Sequence, residues 1–257
     1  MKKVNEKNYY DQIKNWSFDE FQIVTEKLTN WDMYEILKSV TDKKSKILDL
    51  GTGGGEKVLS RFPEYAQEIL GTDYSKSMIE TAKKNLKKSK RTNVSFRIMN
   101  NLEMNVPDNY FDVVVARNTI TDPKQIIKTL KKGGILLIHG VDMYDCLELK
   151  MIFGRGQATN DKKPISIVDY ENILKAGFNE VELVPLHVRE YFKNKDLLKK
   201  FLLKVPILDE FSEDDGDFKD YYSPEIEDNK LDEYIKRNTT VNGIVLYRRY
   251  YGIFAKK

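Results

Sequence analysis

Cysteine is almost missing from this chain: among 257 residues only Cys146 carries a thiol. A single thiol closes no intrachain disulfide and builds no multi-cysteine zinc site, which points to a reducing compartment. Histidine is nearly as scarce, with His139 and His187 alone, so there are few candidates for a general base and no metal site is expected. No apolar run approaches the roughly 20 residues that cross a bilayer. The longest, near 135–138 and 244–246, are strand-sized. Met1 to Tyr10 lacks the apolar core of a secretory signal, so the expectation is a cytoplasmic protein. Charge of one sign is lacking too: 43 Lys and Arg face 40 Asp and Glu, a net +3. That is too mild to require a nucleic-acid or membrane partner. Internal repeats and low-complexity tracts are absent, and the acidic stretch 213–220 reads as a solvated loop.

What the chain does have is enough apolar material, 40% of residues, for one globular domain with embellishments. From Ser45 to Tyr191, strand-length apolar runs alternate with charged helical patterns, the signature of βαβ units around a parallel sheet. Strands are predicted at 46–50, 68–72, 93–98, 111–116, 134–140, 180–188 and 243–254, seven in all. The last two are expected to pair antiparallel at one edge. Residues 1–44, rich in aromatics, read as a helical cap on a domain spanning 45–257, and 192–242 reads as a lid-like insertion.

The most informative segment is Lys46-Ile47-Leu48-Asp49-Leu50-Gly51-Thr52-Gly53-Gly54-Gly55-Glu56. A buried-strand pattern runs straight into a glycine turn where the backbone can approach a ligand. The dinucleotide fingerprint G-x-G-x-x-G begun at Gly51 fails at Glu56, and no Gly-Lys-Ser/Thr follows as a P-loop requires. The pattern acid-x-Gly-x-Gly-x-Gly, from Asp49 to Gly55, resembles the first motif of the class I, Rossmann-like methyltransferases that use S-adenosylmethionine (SAM). The segments 109–119 and 131–138 resemble later motifs of that family. The resemblance is strong over 45–140 and weak elsewhere; it implies a doubly wound α/β fold with seven strands and SAM as donor, S-adenosylhomocysteine (SAH) being the product.

Under that resemblance the glycine turn, with Gly51, Thr52, Gly53 and Gly55, borders the methionine part of the cofactor, and Asp49 receives its ammonium. The ribose diol needs an acceptor pair, which Asp73 supplies at the end of the second strand, 24 positions after Asp49. Tyr74 can offer a ring face to adenine with Met78 beside it, although ordinary helix packing explains both equally well. For the adenine edge the chain departs from the family habit of an acid followed by a small residue. Asn100, in preference to Asn101, can accept from the exocyclic amine while the next amide donates to a ring nitrogen. The carbonyls near Arg117 lie where the sheet meets a ligand, and Gly133-Gly134 reads as a helix-ending turn.

Methyl transfer from a sulfonium is an in-line displacement that depends on positioning, so a base is optional. His139, at the ligand-bearing end of a central strand, is the better candidate; His187 reads as structural. The end of the fourth strand, Ala116-Arg117-Asn118-Thr119, lacks the Asn/Asp-Pro-Pro-aromatic sequence associated with exocyclic base amines. The cluster Lys83, Lys84, Lys87, Lys88, Lys90 and Arg91 reads as a solvated helix face. Acceptor-pocket candidates are Tyr9, Tyr10 and Trp16 in the cap, Arg117 and Asn118 at the fourth strand, and Arg155 between two glycines. These readings converge on methylation of a small molecule at nitrogen, oxygen or carbon. An RNA or protein methyltransferase and a catalytically silent SAM-binding scaffold are the rivals.

Overall fold

A computed structural model describes residues 3–5, 18–212 and 226–257 of the chain. Tyr9, Tyr10 and Trp16 lie outside the described residues. Lys3–Asn5 (β1) pairs in parallel with Glu210–Ser212 (β9) in a small two-stranded sheet. The main sheet has nine strands among the described residues, not seven.

Five of them are parallel and adjacent: Val94–Ile98 (β5), Glu68–Asp73 (β4), Lys46–Leu50 (β3), Phe111–Arg117 (β6) and Leu130–Val141 (β7), in that spatial order. Four of the five residues of β3 are buried, which accounts for its continuous apolar run: helices cover both faces of a parallel sheet. The chain winds outward from β3 through β4 to β5, then returns to place β6 on the other side of β3. The crevice between the carboxyl ends of β3 and β6 is therefore the switch point at which such sheets meet ligands.

Glu180–Phe192 (β8) and Gly243–Lys256 (β11) form the expected antiparallel pair, with β11 against β7. The pair is not the edge of the sheet. Val24–Lys27 (β2) adds antiparallel to β8, and Thr239–Thr240 (β10) pairs with the start of β11. So the described part of the expected helical cap is only partly helical: a 3-10 turn at Asp19–Phe21, then β2, then helix α1 at Met33–Ser39. All four residues of β2 are exposed. Exposed Glu26 and Lys27 give this open edge the charge that discourages further pairing. Gly133-Gly134 does not end a helix. Helix α4, Pro123–Thr129, stops earlier, and Gly133 at φ +74° bends the strand, its amide donating to the Lys257 carbonyl.

Two cores flank the sheet. Ile47, Ile69, Val113, Val115 and Leu137 pack under α1, Glu56–Arg61 (α2) and Lys76–Lys88 (α3). Leu48, Leu50, Val114, Ile138 and Ile253 pack on the opposite face with α4 and Ile165–Ala176 (α6). Each strand alternates between the two cores because successive side chains point to opposite faces. The five lysines of the basic cluster are exposed on and just beyond α3, a solvated face. Arg91 instead donates to the carbonyls of Phe62 and Pro63.

A third core is built by the insertion. Lys195–Lys204 (α7) and Asp228–Asn238 (α8) bury Leu198, Phe201, Leu231 and Tyr234 against Leu147–Phe153 (α5), Phe21 and the Phe192 end of β8.

Candidate active site

The site grows from the turn after β3. Gly51 lies at φ +70°, and a Cβ there would stand 2.6 Å from the Thr119 Cβ. Only glycine lets the turn meet the loop after β6 so closely. Thr52 is buried, its amide donating to the Thr72 carbonyl, and Gly55 at φ +76° starts α2. The Gly53 amide donates to Asp73 Oδ2 at 2.9 Å, and the Ser75 amide donates to Asp73 Oδ1 at 2.9 Å. Asp73 thus holds two loops in register.

Around the neighbouring strand ends the structure sorts the remaining candidates. Tyr74 is exposed at 40%. Met78 is only 2% exposed, its amide donating to the Ser75 Oγ that caps α3. Asn100 Oδ1 accepts from the Leu102 amide. Asn101 is buried, and its amide donates to Thr119 Oγ1 at 3.0 Å and to the Ile120 carbonyl at 3.2 Å, so it braces the loop that packs on Gly51. Its own Oδ1 is buried with no hydrogen-bond partner.

Asp49 faces the α1 side of the sheet and is 6% exposed. Burial pushes its carboxyl up to about 7, against the pull of the Arg117 charge. Beside it, Arg117 pairs in register with His139 and His139 with Gly252, so one row crosses the carboxyl end of the sheet. The Asn118 amide, at φ +50°, donates to the His139 carbonyl at 2.8 Å, and Asn118 Oδ1 lies 3.4 Å from His139 Nδ1. Burial, then the Arg117 charge, pushes the imidazole down to about 4, so His139 is neutral at physiological pH. Its ring lies 5.1 Å from that of Tyr250.

This row floors a cavity of about 220 Å³. Arg117, His139, Tyr250, Leu186 and Val188 line it from the sheet, and Trp31, Tyr34 and Lys57 line it from α1 and its neighbours. The Trp31 indole rests on β11 at Gly252, where a Cβ would stand 2.7 Å from three of its ring atoms. Gly252→Ala should therefore displace the indole and cost about 1–3 kcal/mol, as overpacking does. Thermal unfolding together with the Trp31 fluorescence maximum checks this; an unchanged spectrum and midpoint would count against the contact.

Arg155 has another task. Its guanidinium donates to the Leu208 carbonyl at 2.7 Å, to Asp209 at 3.1 Å and to Glu227 at 3.1 Å, binding the turn after α5 to the insertion. Partial burial makes those acceptors its counterions, and it does not line the cavity. The residues that sequence reasoning passed over are Trp31, Tyr34, Lys57 and Tyr250. A signal existed for the first two: Asp32 caps α1 through the Tyr34 amide, and Trp31 and Tyr34 are three apart at its start.

The donor set can be weighed against SAM, whose ammonium, ribose hydroxyls and adenine amine are all hydrogen-bond donors. The residues gathered here offer acceptors: Asp49, Asp73, Asn100 and the unpartnered Asn101 Oδ1. They fit. Turn, sheet order and acceptor set together define a class I methyltransferase domain, the class whose members use SAM. Residues 41–186 match the family model described as a methyltransferase domain, and the chain belongs to that family.

Among curated relatives, the chain is 30% identical over 149 residues to the demethylmenaquinone methyltransferase of Lactococcus lactis, covering 52% of this chain and 58% of that one. It is 30% identical over 101 residues to the ribosomal protein L11 methyltransferase of Listeria innocua, covering 37% and 32%. The chain thus spans between 32% and 58% of these relatives' length. The crystal structure of the YcgJ protein of Bacillus subtilis superposes with a TM-score of 0.54 at 16% identity, covering 88% of this chain and 97% of that one, a likeness of fold. No helix of the described residues is long and apolar enough to cross a membrane.

Proposed function

We propose that this protein transfers the methyl group of SAM to a small molecule held in the cavity above Arg117 and His139. The observation that carries the reading is the position of that cavity, which starts at the last residue of β6 and so opens next to the glycine turn. A walled space favours an acceptor that fits inside the protein over a polymer lying across its surface.

In this reading Asp73 accepts from the ribose hydroxyls, Asp49 from the ammonium, and Asn100 or Asn101 from the adenine amine. The cofactor supplies an electrophilic methyl group, and the chain's own residues align the acceptor and exclude water from it. His139, neutral and lining the cavity, is the candidate in this reading to take a proton from an acceptor hydroxyl or amine. Cytoplasmic location accords with the single thiol.

Asp73→Ala removes acceptors for two hydroxyl donors and releases the Gly53 amide. Calorimetry should show SAM and SAH binding weakened about 10- to 100-fold, the worth of a charged hydrogen bond or two. Undiminished affinity would remove Asp73 from the ribose role. Incubation with methyl-labelled SAM and separate metabolite, RNA and peptide pools tests the acceptor. The label should enter the metabolite fraction; entry into protein or RNA alone would overturn the small-molecule reading.

A further inference from the structure

Charge inside the cavity does not balance. Its ionisable lining groups are Lys27, Asp32, Lys57, Arg117 and His139. Asp32 is already neutralised, by Lys27 at 3.0 Å and Arg61 at 3.7 Å, and His139 is neutral. Lys57 and Arg117 remain, and neither side chain has a hydrogen-bond or ion-pair partner among the described residues; Glu56 and Asp19 act on Lys57 only at longer range. Arg117 feels buried Asp49 on its other side, but a bound cofactor would occupy that carboxylate with its ammonium. SAM also brings two positive centres against one carboxylate, so filling its site leaves the positive excess in place.

Arg117, half-buried, and Lys57, exposed, face the same cavity and repel one another, and an anion seated between them would offset that repulsion. The walls are flat and apolar around them: the Trp31 indole fixed on Gly252, Tyr34, Tyr250 and the His139 ring. The buried Tyr34 hydroxyl has no partner and can donate to an incoming oxygen. A dry cavity of about 150 Å³ accepts a benzene ring, so about 220 Å³ has room for a ring system with a short polar arm.

From these features we infer that the methyl acceptor is a planar, ring-bearing small molecule carrying a carboxylate or other acidic group, its ring among Trp31, Tyr34 and Tyr250 and its anion on Lys57 and Arg117. This rests on the methyl-transfer reading, and its test is arranged to fail separately from it. SAH binding to the full chain, by calorimetry, reports the cofactor site alone. The SAH-loaded protein is then titrated with three probes of one ring and different charge: indole-3-acetate, indole-3-acetamide and tryptamine. Indole-3-acetate should bind at least about 10-fold tighter than the neutral amide, and tryptamine weakest of the three. In Lys57→Met that preference should shrink to within about 2-fold, while SAH affinity stays unchanged. Equal binding of the three probes, or a preference for tryptamine, overturns the proposal. So does a loss of SAH affinity in Lys57→Met, which would assign the cation to the cofactor. Failure of the unaltered chain to bind SAH would instead strike the methyl-transfer reading.

Discussion

Asp49→Asn should make the ligand-free protein more stable at pH 8 and at the same time abolish tight SAM binding. The carboxyl lies in the most buried strand of the sheet, and burial lifts it to about 7, whereas an unfolded aspartate titrates near about 3.9. A raised carboxyl contributes stability that is fully present below about 3.9 and lost as pH climbs through about 7. Above that, the folded state bears a buried charge whose cost approaches about 4 kcal/mol at about 1.4 kcal/mol per unit, part of it already offset by Arg117.

Asparagine keeps the shape and removes the charge, so a gain of about 1–3 kcal/mol is expected at pH 8, fading to nothing near pH 4. Thermal or urea unfolding at both values reads it, and a variant less stable than the parent at pH 8 would show that the carboxylate is structurally favoured. The same titration governs the cofactor. An ammonium wants the ionised form, so SAM affinity of the unaltered chain should rise about tenfold per pH unit towards 7 and level off above it, with proton release on binding below 7. A pH-independent affinity would remove Asp49 from the ammonium role.

Arg248→Ala should be the most destabilising single change proposed here, at about 3–5 kcal/mol. The guanidinium, 6% exposed, donates through Nε to Asp145 Oδ1 at 2.9 Å, through Nη2 to Asp145 Oδ2 at 3.1 Å and through Nη1 to Glu190 at 2.9 Å. Three separate pieces of chain, β11, β8 and the turn after β7, are joined at that point. Removing the cation leaves Asp145, 2% exposed, charged without its counterion. The penalty is thus mainly the stranded carboxylate and only secondarily the lost bonds.

Chemical denaturation measures the loss, and adding Asp145→Asn and Glu190→Gln to Arg248→Ala should recover a large part of it. If the triple variant is as unstable as Arg248→Ala alone, the cost comes from a packing void and the electrostatic account is wrong. Arg248 also lies under the Tyr250 ring at 4.9 Å, so the same substitution should slacken one wall of the cavity above Arg117 and His139.

The residues proposed for the cofactor side could be picked out from the chain because their determinants are local. Gly51 meets a steric demand of its own turn, Asp49 closes a buried strand pattern, and Asp73 ends the next strand one crossover later. How deeply Met78 is buried, at 2% exposure, is a matter of packing that its place in the sequence does not reveal. For Arg155, flanking glycines show that an arginine can reach, but its counterions Asp209 and Glu227 lie 54 and 72 positions further along the chain. The strand at Val24–Lys27 escaped notice because its residues are all exposed and carry no apolar alternation.

Composition, the glycine turn and the alternating apolar runs were thus sufficient for an α/β methyltransferase domain and for naming the residues proposed to hold its cofactor, since each rests on residues close in sequence obeying backbone sterics and burial. The cavity proposed to hold the acceptor is different in kind. It exists because β2, α1, α2, β6, β7, β8 and β11 bring single residues to one face of the sheet, and because a glycine at 252 leaves room for an indole at 31. Long-range packing set those neighbours, and with them the uncompensated charge of Lys57 and Arg117 that selects the acceptor in the reading proposed here.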